Sequence, residues 1–239
     1  MQYNKKNPET IQQMFSSIAK NYDRANAVLS FNMHKYWNAQ LVKNLEASHS
    51  NSVLLDLCSG TGDIAFEYIK KSKTPCKIHF LDFCPDMLSF AEKKSKTIKN
   101  RPNYELNFIK GDAQEIPLES DSVDYVTVAY GIRNVKDPQK CIEDAYRVIK
   151  TGGVFGILEL TEPKNPLLRF GHWIYLRTIM PILGKLVATN KEAYEYLCSS
   201  IHSFVSPDEL CVMLKNSKFS EIKKIPLLGG VATILIAKK

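Results

Sequence analysis

The sequence predicts an α/β fold built on a doubly wound, seven-stranded sheet with a C-terminal antiparallel hairpin. Two observations carry this. From Val53 onward, short apolar runs alternate with longer helical stretches, the pattern of a parallel sheet covered by helices on both faces. The last two runs, "FSEIKKIPLL" and "VATILIAKK", are separated only by "GG". That is too short for a crossover helix, so they pair antiparallel.

In chain order, the pattern is helical up to about Leu45. Met14, Phe15, Ile18 and Tyr22 recur at helical spacing, and Trp37, Leu41 and Leu45 fall four apart on one helical face. Residues 1–48 are expected to form an N-terminal helical lid. The five parallel strands are "VLLDLC", "KIHFLDF", "LNFIKG", "DYVTVAYG" and "GGVFGILEL". The helices between them are "DIAFEYIKKS", "PDMLSFAEKKSKTI" and "DPQKCIEDAYRVIK". Residues 161–207 read as an insertion on the acceptor side, between the fifth strand and the final helix. The whole, 1–239, is expected to be one domain.

Composition narrows the function classes. The chain is 44% hydrophobic and 24% charged, which is globular, and its formal net charge is +7. None of the six cysteines forms a C-x-x-C pair and no histidine pair has zinc-ligand spacing, so neither a metal site nor a disulfide framework is expected. No secretory h-region opens the sequence, and no apolar stretch reaches the ~18 residues of a membrane span. A cytoplasmic protein with reduced thiols is expected.

The chemistry starts at "LLDLCSGTGD". The turn Ser59-Gly60-Thr61-Gly62 follows the first strand and leads into a helix at Asp63, which is expected to cap that helix. In open α/β sheets ligands bind beyond the carboxyl ends of the strands, and glycines let a ligand approach the main chain. Asp82, twenty residues after Gly62, ends the second strand, where an acid accepts both ribose hydroxyls of an adenosine. Gly60, Gly62 and Ala65 also satisfy a dinucleotide fingerprint. Three features favour S-adenosylmethionine over NAD. Asp56 on the first strand can hold the amino-acid end of that cofactor, directly or through water. The helix opening at Asp63 is not arranged solely for a pyrophosphate. Asp112 and the main chain of Ala113, after the third strand, suit adenine.

These residues resemble a family, the ubiquinone/menaquinone biosynthesis C-methyltransferases, across nearly the whole chain. "LDLCSGTGDIA" is shared widely among methyltransferases. "GDAQEIPLESDSVDYVTVAYGIRNV" and "PILGKLVATNKEAYEYLCSSI" are narrower. The resemblance implies the class I S-adenosylmethionine-dependent methyltransferase fold, with cofactor contacts at Thr61, Asp82, Asp112 and Ala113. It also implies methyl transfer to a ring carbon of a polyprenyl quinol. The naphthoquinol of menaquinone synthesis is favoured over the benzoquinol of ubiquinone synthesis. The family usually carries Gly where Asn32 stands, Pro where Thr151 stands and often Arg where His202 stands.

A sulfonium methyl is an electrophile, so the acceptor is expected as the reduced quinol, whose phenolate enriches the ring carbon. Arg133 in "GIRN" can stabilise phenolate charge or fix its loop through an ion pair, and Asn134 can hydrogen-bond a ring oxygen. Tyr22 is a candidate lid over the cofactor. His34 and His202 are candidate proton acceptors. Residues 163–187 hold Lys164, Arg169, Arg177 and Lys185 and no acid, which suits a basic amphipathic cap in peripheral contact with a membrane. The competing readings are methyl transfer to another small molecule, sterol or phospholipid, a nucleic-acid-binding module, and an NAD oxidoreductase. No nucleic-acid partner is expected, because the lysine-rich stretches lack interleaved aromatics. Oligomeric state is not readable.

Overall fold

The computed structural model describes residues 7–46, 51–72, 74–98, 104–187 and 191–239. Residues 1–6, 47–48 and 188–190 of the expected lid and insertion therefore lie outside the described residues.

Three helices come first: α1 (Pro8–Ile18), α2 (Tyr22–Leu29) and α3 (Met33–Asn44). A Rossmann-like alternation follows with β1 (Val53–Leu57), α4 (Asp63–Lys71), β2 (Lys77–Asp82), α5 (Pro85–Ser95), β3 (Glu105–Lys110), β4 (Val123–Ala129), α6 (Pro138–Val148) and β5 (Ile149–Leu160). The insertion holds α7 (Pro166–Ile174), a π-helical turn Tyr175–Ile179, α8 (Met180–Val187) and α9 (Lys191–Ser203). Then come α10 (Pro207–Asn216), β6 (Ser220–Leu227) and β7 (Ala232–Lys238).

The seven strands are ordered β3-β2-β1-β4-β5-β7-β6. β7 runs antiparallel to both β5 and β6, so the closing hairpin inserts its second strand beside β5 and leaves β6 at the edge. Pro226, which cannot donate to a ladder, sits in that edge strand. The period-2 alternation is visible in β1. Leu54 packs into the core on one sheet face, Leu55 and Leu57 into the core on the other. Asp56 shares the Leu54 face, and the β1–β4 register sets it beside Thr127.

Local sequence explains most helix starts. α1, α6, α7 and α10 each begin with a polar cap followed by proline: Asn7-Pro8, Asp137-Pro138, Asn165-Pro166 and Ser206-Pro207. The cap oxygen takes an orphan N–H, and proline fixes φ where no N–H is needed. α4 differs from expectation. Gly62, at φ 83°, is its cap residue and Asp63 is the first helical residue. Trp37, Leu41 and Leu45 are buried as expected. Gly156 on β5 allows this close approach, because a β-carbon there would lie 2.8–2.9 Å from Leu45 and Leu41.

Asn32 precedes α3 at φ 61°, next to Phe31 at φ 49°. Asn is the non-glycine residue best suited to this left-handed conformation, which explains how it stands where the resembled family carries Gly. We expect Asn32→Gly to leave the unfolding midpoint nearly unchanged. Asn32→Val should cost about 1–2 kcal/mol in urea unfolding.

Candidate functional site

A cleft opens beyond the carboxyl ends of β1 to β4, where ligands of open α/β sheets bind. Gly60, Asp82, Asp112, Ala113 and Gly131 line it, with Tyr22, Phe83 and Met87 as apolar walls. Asp82 is buried. Its carboxylate accepts the Gly60 N–H through Oδ2 and the Cys84 N–H through Oδ1, both at 2.8 Å. Each oxygen keeps a lone pair for a ligand hydroxyl. Burial pushes Asp82 up to about 6 against these amide bonds. Asp112 is exposed, and its carboxylate accepts from the Gln114 side chain at 2.9 and 3.0 Å.

Three of the sequence-selected residues stand behind the cleft and do not line it. Asp56 is buried and takes the Thr127 hydroxyl at 2.7 Å through Oδ1, while Oδ2 has no partner. Burial pushes this acid up to about 7. Thr61 donates to Asp23 Oδ1 of α2 at 2.5 Å. Gly62 is packed too tightly for a β-carbon, which would lie 2.7 Å from Phe66 and 2.8 Å from Phe80. Lys94 completes this cluster, reaching Asp23 at 2.8 Å and Asp63 at 2.7 Å. The N-terminal helices are thus tied to the glycine turn by charge-assisted bonds.

A second, mainly apolar cavity of about 650 Å³ lies between α2, α3 and the insertion. Its walls include His34, Trp37, Tyr130, His172, Leu176 and Met180. Tyr22 lines this cavity, the strand-end cleft and a third space of about 600 Å³ between them. Asn134 lines the cleft and the intermediate space. It accepts from the Tyr196 hydroxyl at 3.0 Å and donates to the Tyr130 carbonyl at 3.3 Å. Burial lowers His34 and His172 below the usual imidazole range, favouring their neutral forms at pH 7. His34 Nδ1 lies 2.7 Å from Ser30 Oγ. His202 is exposed, 2.8 Å from Glu162, outside these cavities.

Arg133 is buried against Glu159, with Nη1 2.6 Å from Oε1. It also binds the Tyr130 carbonyl and Ser200 Oγ of α9, and lines the second and intermediate cavities. The loop-fixing ion pair weighed from the sequence is therefore present. Glu159, Tyr130, Asp23, Lys94, Tyr196 and His172 were not singled out by sequence. Glu159 carried a signal: an acid inside the apolar run "FGILEL" needs a buried cation. Cys58 after β1 and Tyr130 after β4 adopt left-handed φ of 51° and 57°.

A glycine turn with carboxylates at adjacent strand tips lies beside a mainly apolar cavity, on an open sheet with a closing antiparallel hairpin. The fold is shared with a solved SAM-dependent methyltransferase of Thermotoga maritima, a possible histamine N-methyltransferase. The TM-score is 0.64 at 18% identity, covering 96% of this chain and 99% of that one. It is also shared with the [4+2]-cyclase SpnF, at TM-score 0.68 and 12% identity over 97% and 95% of the two chains. The chain belongs to the ubiE/COQ5 methyltransferase family, whose model matches residues 2–239. It is 46% identical to the demethylmenaquinone methyltransferase of Protochlamydia amoebophila (strain UWE25), over 99% of this chain and 98% of that protein. It is 38% identical to the ubiquinone/menaquinone biosynthesis C-methyltransferase UbiE of Rickettsia bellii (strain OSU 85-389), over 96% and 92%.

Two predictions follow from the electrostatics. The folded pKa of Asp82, about 6, exceeds the ordinary 3.8, so the folded state binds a proton that the unfolded chain has lost. Ionised Asp82 therefore costs stability as pH rises from about 4 through 6. From about pH 5 to about pH 8, Asp82→Asn should gain about 1 kcal/mol relative to wild type in urea unfolding. Glu159→Gln strands a buried guanidinium and should cost about 3 kcal/mol. Arg133→Met combined with Glu159→Leu should recover most of that stability.

Proposed function

We propose that this enzyme transfers the methyl group of S-adenosylmethionine to a ring carbon of demethylmenaquinol, giving menaquinol. Family membership and the relatives' activities support the reading. The observation that carries it is the position of Tyr22, common to the cleft that holds Asp82 and Asp112 and to the second cavity. A polar cofactor and an apolar acceptor meet at that ring.

The donor set of the cleft fits the cofactor. Asp82 has free lone pairs at the tip of β2 for ribose hydroxyls. Asp112 and the main chain of Ala113 flank the adenine position. The open side of Gly60, where the nearest side-chain atom is Tyr22 Cε1 at 3.9 Å, admits the amino-acid end. Asp56 acts from behind as a buried acid, and Thr61 and Gly62 hold the turn and the lid. Bound there, the cofactor supplies an electrophilic sulfonium methyl, and the surrounding acids suit its positive charge.

On the acceptor side, Asn134 donates to a ring oxygen. Arg133, held in place by Glu159, favours a phenolate over the neutral hydroxyl. Neutral His34 takes the hydroxyl proton. Tyr22 closes the cofactor side and excludes water from the reacting carbon. Residues 1–48 serve as the lid and 161–207 as the acceptor cap of a single domain, 1–239. A polyprenyl acceptor supports peripheral contact with a membrane, and the proposed location is the cytoplasm at its inner face. Among the described residues no helix is long and apolar enough to cross a membrane.

The test offers labelled S-adenosylmethionine with a polyprenyl naphthoquinol and the matching benzoquinol, each reduced and oxidised. Label is expected in the reduced naphthoquinol. Label in the benzoquinol alone, or in an oxidised quinone as readily as in its quinol, overturns the proposal.

A further inference from the structure

The helix running through α7, Tyr175–Ile179 and α8 has two unlike faces. His172, Leu176 and Met180 point into the second cavity. On the outward face, Leu167 is 78% exposed, Phe170 59%, Trp173 48% and Ile182 62%. Two neighbouring elements extend the apolar surface. Exposed Phe31, before α3, packs its ring 6.2 Å from that of Tyr175. Leu168 reaches the tight β6–β7 turn at Gly229, beside exposed Leu228. An apolar face of this extent on an otherwise charged surface marks an interaction site.

We propose that this face docks on an anionic lipid bilayer and that the acceptor enters the second cavity through it. The inference rests on the reading above that the acceptor is lipid-soluble. The charge pattern selects lipid as the occupant. The segment 163–187 carries four basic residues and no acid. Arg177 lies over the Trp173 ring at 5.1 Å, and Phe170 stacks on Trp173 at 6.1 Å. Aromatic groups inserted at the headgroup level with guanidinium groups beside them match phosphate-bearing lipid. The nearby acids are already engaged, Glu162 with His202 and Asp208 with Lys164 and Lys224. A second copy of the chain fits less well, because a two-fold contact through this face would bring together two copies of a segment that has four basic residues and no acid. The helix that docks is also the wall of the cavity. A prenyl tail can stay in the bilayer while its ring is presented to Tyr22 and Asn134.

The chain has two tryptophans. Trp37 is 5% exposed, so Trp173 reports on the face. With vesicles containing phosphatidylglycerol, Trp173 emission should shift to the blue and be quenched by brominated acyl chains. Raising salt from about 0.1 to about 0.5 M should weaken binding roughly tenfold. The double variant Leu167→Glu/Phe170→Glu should lose vesicle binding at least tenfold yet still methylate a short-tailed, water-soluble quinol. Absence of wild-type binding overturns the proposal. So does a double variant that binds like wild type. A blue shift produced by self-association without lipid overturns it in favour of a second copy. Failure of wild type on the short-tailed quinol counts against the methylation reading and leaves the vesicle result standing separately.

Discussion

The two cavities meet where they do because of one buried ion pair. Arg133 sits in the turn after β4 and Glu159 near the end of β5, and Arg133 also reaches Ser200 of α9. The pair therefore joins the sheet, the loop that floors the acceptor side and the insertion that roofs it. Such a pair contributes little net stability, because desolvating two charges offsets most of their attraction. What it supplies is position. A hydrophobic replacement could fill the volume, but it would not hold the Tyr130 carbonyl and a helix 67 residues away at fixed geometry. Glu159 also reduces the field that Arg133 presents. The guanidinium therefore offers directed N–H groups more than free positive charge.

The lid is fixed by a comparable device on the other side. Thr61 and Asp63 belong to the glycine turn and α4, Lys94 to α5, and Asp23 to α2. Their bonds converge on Asp23 and Lys94. The side chains here are partly exposed, so the cluster is softer than the buried pair. Softness suits a lid that must admit a cofactor and release its product. Tyr22 adjoins Asp23 in the chain, so any opening of this cluster moves the ring that lines both the strand-end cleft and the second cavity.

The sheet was legible in the sequence because its information is local. The two-residue period, the βα alternation and the "GG" turn each occupy a few neighbouring residues. Only the placement of β7 between β5 and β6 needed the tertiary structure. The cofactor cleft was half legible. Asp82, Asp112 and the glycines announce themselves at strand ends, but the sequence could not show that Asp56 and Thr61 stand behind the cleft. The acceptor side was least legible, since its partners are remote in the chain. Arg133 with Glu159, Asn134 with Tyr196 and Tyr175 with the Leu29 carbonyl are contacts between elements, and no spacing rule encodes them. Asp63 shows the opposite error. A local capping rule gave way to a left-handed glycine one residue earlier, and the freed acid was recruited by Lys94.

The resting site is electrostatically expensive. Asp56 and Asp82 are both buried, burial raises both, Asp82 adds to the difficulty of ionising Asp56, and Asp56 keeps one oxygen without a partner. The left-handed backbone at Cys58 and Tyr130 adds strain at the same strand ends. A sulfonium cation held in the cleft, as proposed, would offset the first cost, since it would favour the ionised form of both acids. The demethylated product is neutral at sulfur and gives no such compensation. Under the proposed reading, the charged donor would be held more firmly than the spent cofactor, through acids that need not touch the sulfur.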